Sequence, residues 1–324
     1  GTNLSYGVET WMSGNALIEN NIIEQGVAGF LMGAGAGSVF AYNYIVDQVS
    51  TNNGWLFPGT MEHDPGTVMN LYEGNDTYSM MQDAIHGSHA MATFFRNRSR
   101  GFDDTQTAQT VPLLISSFSR YGNIIGNILG RSGYHNKYQS NSNGTSSNCD
   151  TSIYNMGWGS TECSNGTVNA DSLAITTAMR WGNYDVVTGD VRWCGNSSNT
   201  GWSTTCAGTS EVPTSAPVYP NAVPVTETLP NSLYLSSKPT AWWTTPWGTP
   251  HWPPTGPDVT GGNISEGSSG EAGLDGHAYK ISARLCYENT STTSGIKNFD
   301  ASACYIGGSG DLTPPIPPQN LTVR

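Results

Sequence analysis

The chain has 324 residues, with 13 Lys+Arg against 25 Asp+Glu and a net charge of −12. That balance excludes a basic nucleic-acid-binding face and a polybasic attachment to anionic lipid. Charged residues are only 12% of the chain, while 39 Gly, 18 Pro and 28 Asn favour turns and stacked loops over long helices.

The first readable segment, residues 6–9, already looks like the middle of a coil. The sequence therefore predicts either further coils upstream or pairing of this end with another molecule, because an unpaired solenoid end exposes strand edges. The most apolar stretch, residues 26–42, is Gly-rich, bracketed by Glu24 and Asp47, and too short for a membrane span.

Between residues 17 and 132 five segments align on one Asn: LIENNIIEQ at Asn20, FAYNYIVDQ at Asn43, LYEGNDTYS at Asn75, FFRNRSRGF at Asn97 and IIGNILGRS at Asn127. The spacings are 23, 32, 22 and 30 residues, and a short apolar or aromatic run precedes each Asn. Short β-like runs at this period, joined by Gly-rich turns, predict a parallel β-solenoid. An Asn recurring at one corner bonds its own turn and the Asn of the next coil, and it tolerates the left-handed backbone. Asn43, Asn75 and Asn97 are therefore expected to stack inside one corner, which makes Asn75 and Asn97 poor glycan acceptors despite their sequons.

Half of the chain's six His fall between residues 63 and 89. His63, Asp64, Asp83 and His86 are the candidate acid/base residues, with His89 beside them as a substrate contact. Stacking successive coils brings His63/Asp64 and His86 about 5 Å apart on one face. Arg96 and Arg98 follow closely and are expected to hold a substrate carboxylate. Asp103 and Asp104 form a paired-carboxylate loop with the donor chemistry for calcium.

A Ser/Asn/Gly/Thr-rich insertion occupies residues 140–169, and residues 171–193 return to strand-like alternation. Residues 212–257 are rich in Pro and Trp and are expected to form an extended strap, since such a segment makes no central strand. Trp242 and Trp243 within it are candidate sugar-stacking surfaces. Residues 276–288 show helical spacing of Ala278, Ile281 and Leu285. The tail, residues 312–324, reads as a Pro-rich linker or an assembly strand. The organisation expected is thus a β-helix over 1–195, a C-terminal strap with loops over 196–311, and the tail.

The six cysteines fall into neighbouring pairs 14, 12 and 18 positions apart, which predicts three local disulfides, Cys149–Cys163, Cys194–Cys206 and Cys286–Cys304. Disulfides imply an oxidising compartment. Of nine sequons, those at Asn143, Asn165, Asn196, Asn263 and Asn289 are the candidate glycosylation sites.

The runs YGVET, IENNIIE, YNYIVD, HDPGTVMNLYEGN, IHGSHAMATFFRNR, SRYGNIIGNILG and GYHNKY resemble secreted bacterial right-handed parallel β-helix proteins of the pectate-lyase-like superfamily. MRWGNYDVVTGDVRWC, SLYLSSKPTAWW and GHAYKISARLCYEN resemble the later part of the same group. The resemblance implies an all-β, right-handed parallel β-helix with an irregular, disulfide-stapled C-terminal section. The sequence departs from the characterised enzymes: it has neither the aspartate pairs with Gly-His-Gly of polygalacturonases nor the calcium-aspartate and arginine signature of pectate lyases.

Two functional classes follow. One is a secreted carbohydrate-active protein, a polysaccharide lyase or glycoside hydrolase if catalytic, with its groove beside the His cluster. The other is a structural or adhesive surface protein whose partners are neighbouring copies of itself.

Overall fold

The computed structural model describes residues 6–49, 54–141, 150–159, 168–195, 206, 211–213, 224, 226–264 and 276–306. The disulfide expected between Cys149 and Cys163, the sequons at Asn143, Asn165 and Asn196, and the tail over 312–324 lie outside the described residues.

Six coils succeed one another, each giving one short strand to each of three sheets. The first contributes β1 (Val8–Trp11), β2 (Leu17–Glu19) and β3 (Ile22–Glu24); the second β4 (Phe30–Gly33), β5 (Val39–Ala41) and β6 (Tyr44–Val46). The third gives β7 (Thr60–Glu62), β8 (Leu71–Glu73) and β9 (Asp76–Thr77), and the fourth β10 (Met80–Gln82), β11 (Thr93–Phe95) and β12 (Arg98–Ser99). The fifth gives β13 (Leu113–Ile115), β14 (Asn123–Ile125) and β15 (Ile128–Leu129). The chain then passes through β16 (Lys137–Asn141) before completing a sixth coil with β17 (Ser152–Met156), α1 (Leu173–Thr176), β18 (Met179–Trp181) and β19 (Asn183–Asp185). β20 (Asp190–Arg192) folds back antiparallel on β19.

The first sheet runs β1-β4-β7-β10-β13-β17-β16, the second β2-β5-β8-β11-β14-β18 and the third β3-β6-β9-β12-β15-β19-β20. Every pairing among β1–β19 is parallel. This β-helix-like stacking is the arrangement the repeats predict. β16 lies outside β17, so the chain steps past one rung and returns to fill it.

Alternation along each strand sends one set of side chains inward. Phe40, Tyr72 and Phe94 stack there, with ring centroids 5.4 and 5.0 Å apart and planes 15° from parallel. Phe30, Met32, Met80, Leu113, Ile115, Tyr154 and Met156 complete the apolar core from the first sheet. Glu62 also points inward and is fully buried. It accepts from Gln82 Nε2 at 2.6 Å, Tyr72 OH at 3.0 Å and Asn70 Nδ2 at 3.2 Å.

The corner between the second and third sheets holds an asparagine ladder. Asn21, Asn43, Asn75, Asn97 and Asn127 each donate from Nδ2 to Oδ1 of the next member, ending at Asn183, over 2.9–3.0 Å. Each Oδ1 from Asn43 onward also accepts the backbone N–H of the preceding ladder residue. The residue before each ladder member, namely Asn20, Tyr42, Gly74, Arg96, Gly126 and Gly182, has φ between 52° and 67°. The stacking expected of Asn43, Asn75 and Asn97 is therefore present. In the first coil the ladder member is Asn21 rather than Asn20; Asn20 occupies the left-handed corner, one residue earlier.

The strap lies on that corner. Arg96 donates to both Asp258 carboxylate oxygens, at 2.6 and 2.7 Å, and to the carbonyls of Pro230 and Thr255. Gly126 leaves room for Leu229, whose Cδ1 would sit 2.6 Å from any Cβ there. Tyr234 donates to Glu19, and Trp243 packs edge-on to Tyr42 at 5.2 Å. α2 (Ser282–Asn289) covers the outer face of the third sheet, where Ile281 and Ala283 pack on Tyr44 and Val46. Beneath it Asp76 bonds both Arg98 and Arg284, at 2.9 and 2.8 Å. Burial opposes the Asp76 charge, but the two arginines prevail and hold its pKa at about 2. A hairpin of β21 (Thr292–Thr293) and β22 (Ile296–Lys297) leads to α3 (Ala301–Cys304), which Cys286–Cys304 ties to α2. Cys194–Cys206 is also bonded. No helix among the described residues is long and apolar enough to cross a membrane.

Replacing Asn97 by Ala strips partners from the Asn75 backbone N–H, the Asn75 amide and the Tyr72 carbonyl at once. The expected loss is about 1–3 kcal/mol in chemical denaturation. Asn20→Gly, off the ladder and compatible with the left-handed backbone at that position, serves as the comparison and should cost clearly less. In a glycosylating host, peptide mapping should find Asn75 and Asn97 bare, since both are buried in the corner.

Candidate functional site

The outer face of the first sheet carries two columns, because residues two apart along each strand share a face. One runs Glu9, Leu31, Met61, Met81 and Leu114; its four apolar members are buried, with Tyr6 packed against them. The second runs Trp11, Gly33, His63, Asp83 and Ser116, set by the same registers.

His63 follows β7 and Asp83 follows β10, so stacking places them side by side. His63 Nδ1 and Asp83 Oδ2 are 2.5 Å apart. Asp83 is fully buried, and its other oxygen accepts the Ile85 N–H at 2.9 Å, fixing the turn that carries His86. The His86 ring then meets His63 edge-on, with centroids 4.4 Å apart. Burial lowers the His63 pKa, but the hydrogen bond and charge of Asp83, helped by Asp64 and Glu9, raise it overall above 6.5.

Gly33 forms the floor beside this pair. A Cβ there would lie 2.6 Å from the Trp11 ring and 2.7 Å from Asp64 Oδ2, so both groups close over the glycine. Trp11 remains 55% exposed. Its strand stands three rungs from that of Asp83, about 14 Å at the usual strand spacing. Glu9 is exposed on β1. The Tyr6 phenol is raised by burial and then by the charges of Glu9, Asp64 and Asp83, which places it among the same carboxylates.

Of the residues singled out in the sequence, His63, Asp64, Asp83 and His86 come together. His89 lies close, but at 1% exposure it sits beneath the groove and not on its wall. Burial drives its pKa down to about 4, against the opposing charge and backbone hydrogen bond of Asp83. Arg96 and Arg98 are elsewhere: one is the strap's anchor and the other is locked under α2 by Asp76. Their nearness in sequence misleads because they belong to the second corner and the third sheet.

Trp243 is buried, with Nε1 donating to the Pro250 carbonyl, and Trp242 packs at an angle against Tyr42 and edge-on against Trp243; both pack the strap to the coil. Asp103 closes a local turn through Thr105, and exposed Asp104 pairs with Arg131 at 3.1 Å. Among the described residues no group of three or more His, Cys, Asp or Glu is arranged to hold a metal ion. Asn263 and Asn289 are exposed.

Sequence reasoning missed Glu9, Trp11 and Gly33. The signal was the same coil period carried one strand earlier, which sets Trp11 opposite Gly33 and Gly33 next to His63.

A cavity of about 350 Å³ lies apart from this groove, between the first coil and the hairpin, lined by Ile22, Glu24, Tyr287, Ile296 and Phe299 among others. Lys297 at its rim is engaged by the Tyr287 and Thr290 carbonyls. It has no His–carboxylate pair in its lining, so the groove is the candidate site. Comparison with known proteins finds no matching family model, no similar curated protein and no similar solved structure.

Three groups here tie stability to pH in different directions. His63 is raised in the folded chain, so its contribution is complete below pH 6.5 and is lost as pH rises through the folded value. Glu62, under the same rungs, is pushed by burial to about 7 from 4.5, and stability falls as pH rises across that interval. His89, lowered to about 4, acts oppositely and costs stability as pH falls from 6.5. Glu62→Gln should therefore recover about 2–3 kcal/mol of the stability otherwise lost between about pH 5 and 8, read from denaturant midpoints. Asp83→Asn should bring the His63 titration midpoint, followed by NMR, down towards or below 6.5; an unmoved midpoint rules out Asp83 as its cause.

Proposed function

We propose that the chain is a secreted carbohydrate-active protein that binds a polysaccharide along the outer face of the first sheet and hydrolyses it there. The observation that carries this reading is the His63–Asp83 pair, 2.5 Å apart, on the same outer column as an exposed Trp11. An aromatic face offers an apolar surface to a sugar ring. A proton donor beside further carboxylates supplies what glycosidic hydrolysis requires, an acid at the leaving oxygen and a base for water. His63 is the acid, held charged by Asp83, and Asp64 is the base. Elimination next to a uronate carboxylate is disfavoured, because the cations it needs, Arg96 and Arg98, are committed elsewhere.

The finer fold reading is the right-handed parallel β-helix of the pectate-lyase-like superfamily. It draws support from the cyclic order of the three parallel sheets and from the strong preference of parallel crossovers for one hand. Secretion is supported by the disulfides Cys194–Cys206 and Cys286–Cys304, and glycan attachment at Asn263 and Asn289 by their exposure.

A second reading, an adhesive or self-assembling rod, is favoured by one observation. Trp11, Met12 and Leu17 of the first coil and Ile296 and Phe299 of the adjoining hairpin are all exposed. Such apolar surface often marks a contact between molecules.

Release of reducing ends from a panel of polysaccharides tests the enzymatic reading. Wild type should cleave at least one of them, and His63→Ala should lower the rate by about 10²–10⁴-fold. Asp103→Asn, in a loop outside the groove, should match wild type. Wild type inert on every glycan, yet forming filaments by electron microscopy, would transfer the case to the rod.

A further inference from the structure

The asparagine ladder is unfinished at its first rung. From Asn43 to Asn183 each Oδ1 accepts the side-chain amide and the backbone N–H of the rung before it. Each Nδ2 in that series also reaches back to the carbonyl three residues before the preceding ladder member. At Asn21 both patterns stop. No described residue donates to its Oδ1, the side chain is exposed, and the spare proton of its Nδ2 turns to the Glu19 carbonyl of its own coil. Among the described residues β3 pairs on one side only, with β6. The cavity of about 350 Å³ lies against that edge: Asn21, Ile22 and Glu24 line one side, Tyr287, Ile296 and Phe299 the other. Ile296 and Phe299 are 72% and 55% exposed. An edge facing an apolar wall is what an added strand requires.

The chain itself arrives at this slot. α3 follows Phe299, and the half-buried Tyr305 phenol is hydrogen-bonded by the Asn20 side chain, at the same corner. Ile306, the last described residue, donates its N–H to the Thr244 carbonyl. Residues 307–324 continue from there and contain QNLTV at 319–323, which has the pattern of NNIIE at the first corner and YNYIV at the second. In those corners the second residue after the Asn, Ile23 or Ile45, points into the core, and the first, Ile22 or Tyr44, points outward under α2. Thr322 matches the inward position, which Thr77 fills in the third coil, and Leu321 matches the outward one.

We propose that residues 307–324 add a further rung to the chain's own first coil, with Asn320 donating its amide and backbone N–H to Asn21 Oδ1 and residues 321–323 pairing parallel to β3 in the slot. The Pro317 carbonyl then receives the spare Asn21 Nδ2 proton, by the rule the other rungs follow. Leu321 and Val323 cover Ile296 and Phe299 and take that apolar surface out of water. Arg324, the one cation of the segment, falls beside Glu24 and Asp47, a pair whose like charges, with that of Asp103, add to burial in raising Asp47. Pro317 and Pro318 lie on the outermost strand, where a sheet tolerates prolines and where they discourage further pairing. Reach is ample: the fourteen residues from Gly307 to Asn320 span up to about 46 Å extended, and the position sought is one strand spacing, about 4.8 Å, from Asn21. The contact is made within one molecule, because Tyr305 already holds the start of the segment at this corner. It is independent of any activity on the first sheet.

Backbone amide exchange of the full chain, read by mass spectrometry, tests this. Peptides covering residues 17–25 should be protected in the wild type as interior strands are. Asn320→Ala should speed their exchange about ten-fold, the loss expected for one shared amide, while peptides over 71–77 keep their rate. Leu321→Asp should have the same effect, and Leu321→Ile should not. Thr313→Ala, in the same segment but outside the pattern, should match the wild type. Fast exchange at 17–25 in the wild type, or exchange there that ignores Asn320→Ala, overturns the proposal. Protection that vanishes on dilution, together with a dimer-to-monomer shift in light scattering, also overturns it, because the occupant is then a second copy.

Discussion

Everything in this molecule hangs on one corner. A parallel coil has no hairpins to set its register, so something must stop each turn from sliding on the last. Here the same two-residue corner does so six times: a left-handed residue, then an Asn whose amide, in the four interior rungs, bonds the coils on either side. A slip of one residue would turn every inward side chain outward and break each shared amide. The ladder spacings absorb loops of very different length, such as the added residues between the second and third coils, without disturbing the rungs.

Register fixed at one corner is inherited by the sheets. On the first sheet it sets Trp11, Gly33, His63 and Asp83 in one column, although they are scattered over more than 70 residues of sequence. The left-handed positions just before the ladder serve a separate purpose. Tyr42 and Arg96 adopt a backbone that disfavours residues with a Cβ, at roughly 1–2 kcal/mol each. Each is held by strap contacts that offset that cost: Tyr42 by Trp242 and Trp243, Arg96 by Asp258 and two carbonyls. One corner of the coil thus both sets the register and receives the strap.

Much of this was legible in the sequence. The recurring Asn, the apolar runs before it and the Gly-rich turns predicted stacked parallel strands, and the two described disulfides pair as neighbouring spacing predicted. The first rung was misread by one residue because Asn20 and Asn21 are adjacent and either fits the pattern. Asn183 escaped notice because 56 residues separate it from Asn127, across an insertion and the strand that steps out of order. The His cluster was visible because its members lie within two coils. Arg96 and Arg98 were assigned to it because they are close in sequence, but in a coil such neighbours diverge quickly: two corners separate them from the groove. Their partners, Asp258 and Arg284–Asp76, come from over 150 residues away in the chain or from the next rung, and no local pattern announces them.

The ladder also has a direction. Every rung donates from the lower-numbered Asn to the higher, in side chain and backbone alike, and none runs the other way. Aligned amides polarise one another, so a chain of this kind behaves less like five separate bonds than like a short wire with a donor end and an acceptor end. The molecule therefore has an electrical polarity along its long axis, set by Asn21 at one terminus of the stack and Asn183 at the other. A break in the middle splits that wire into two weaker halves, whereas a break at either end only shortens it.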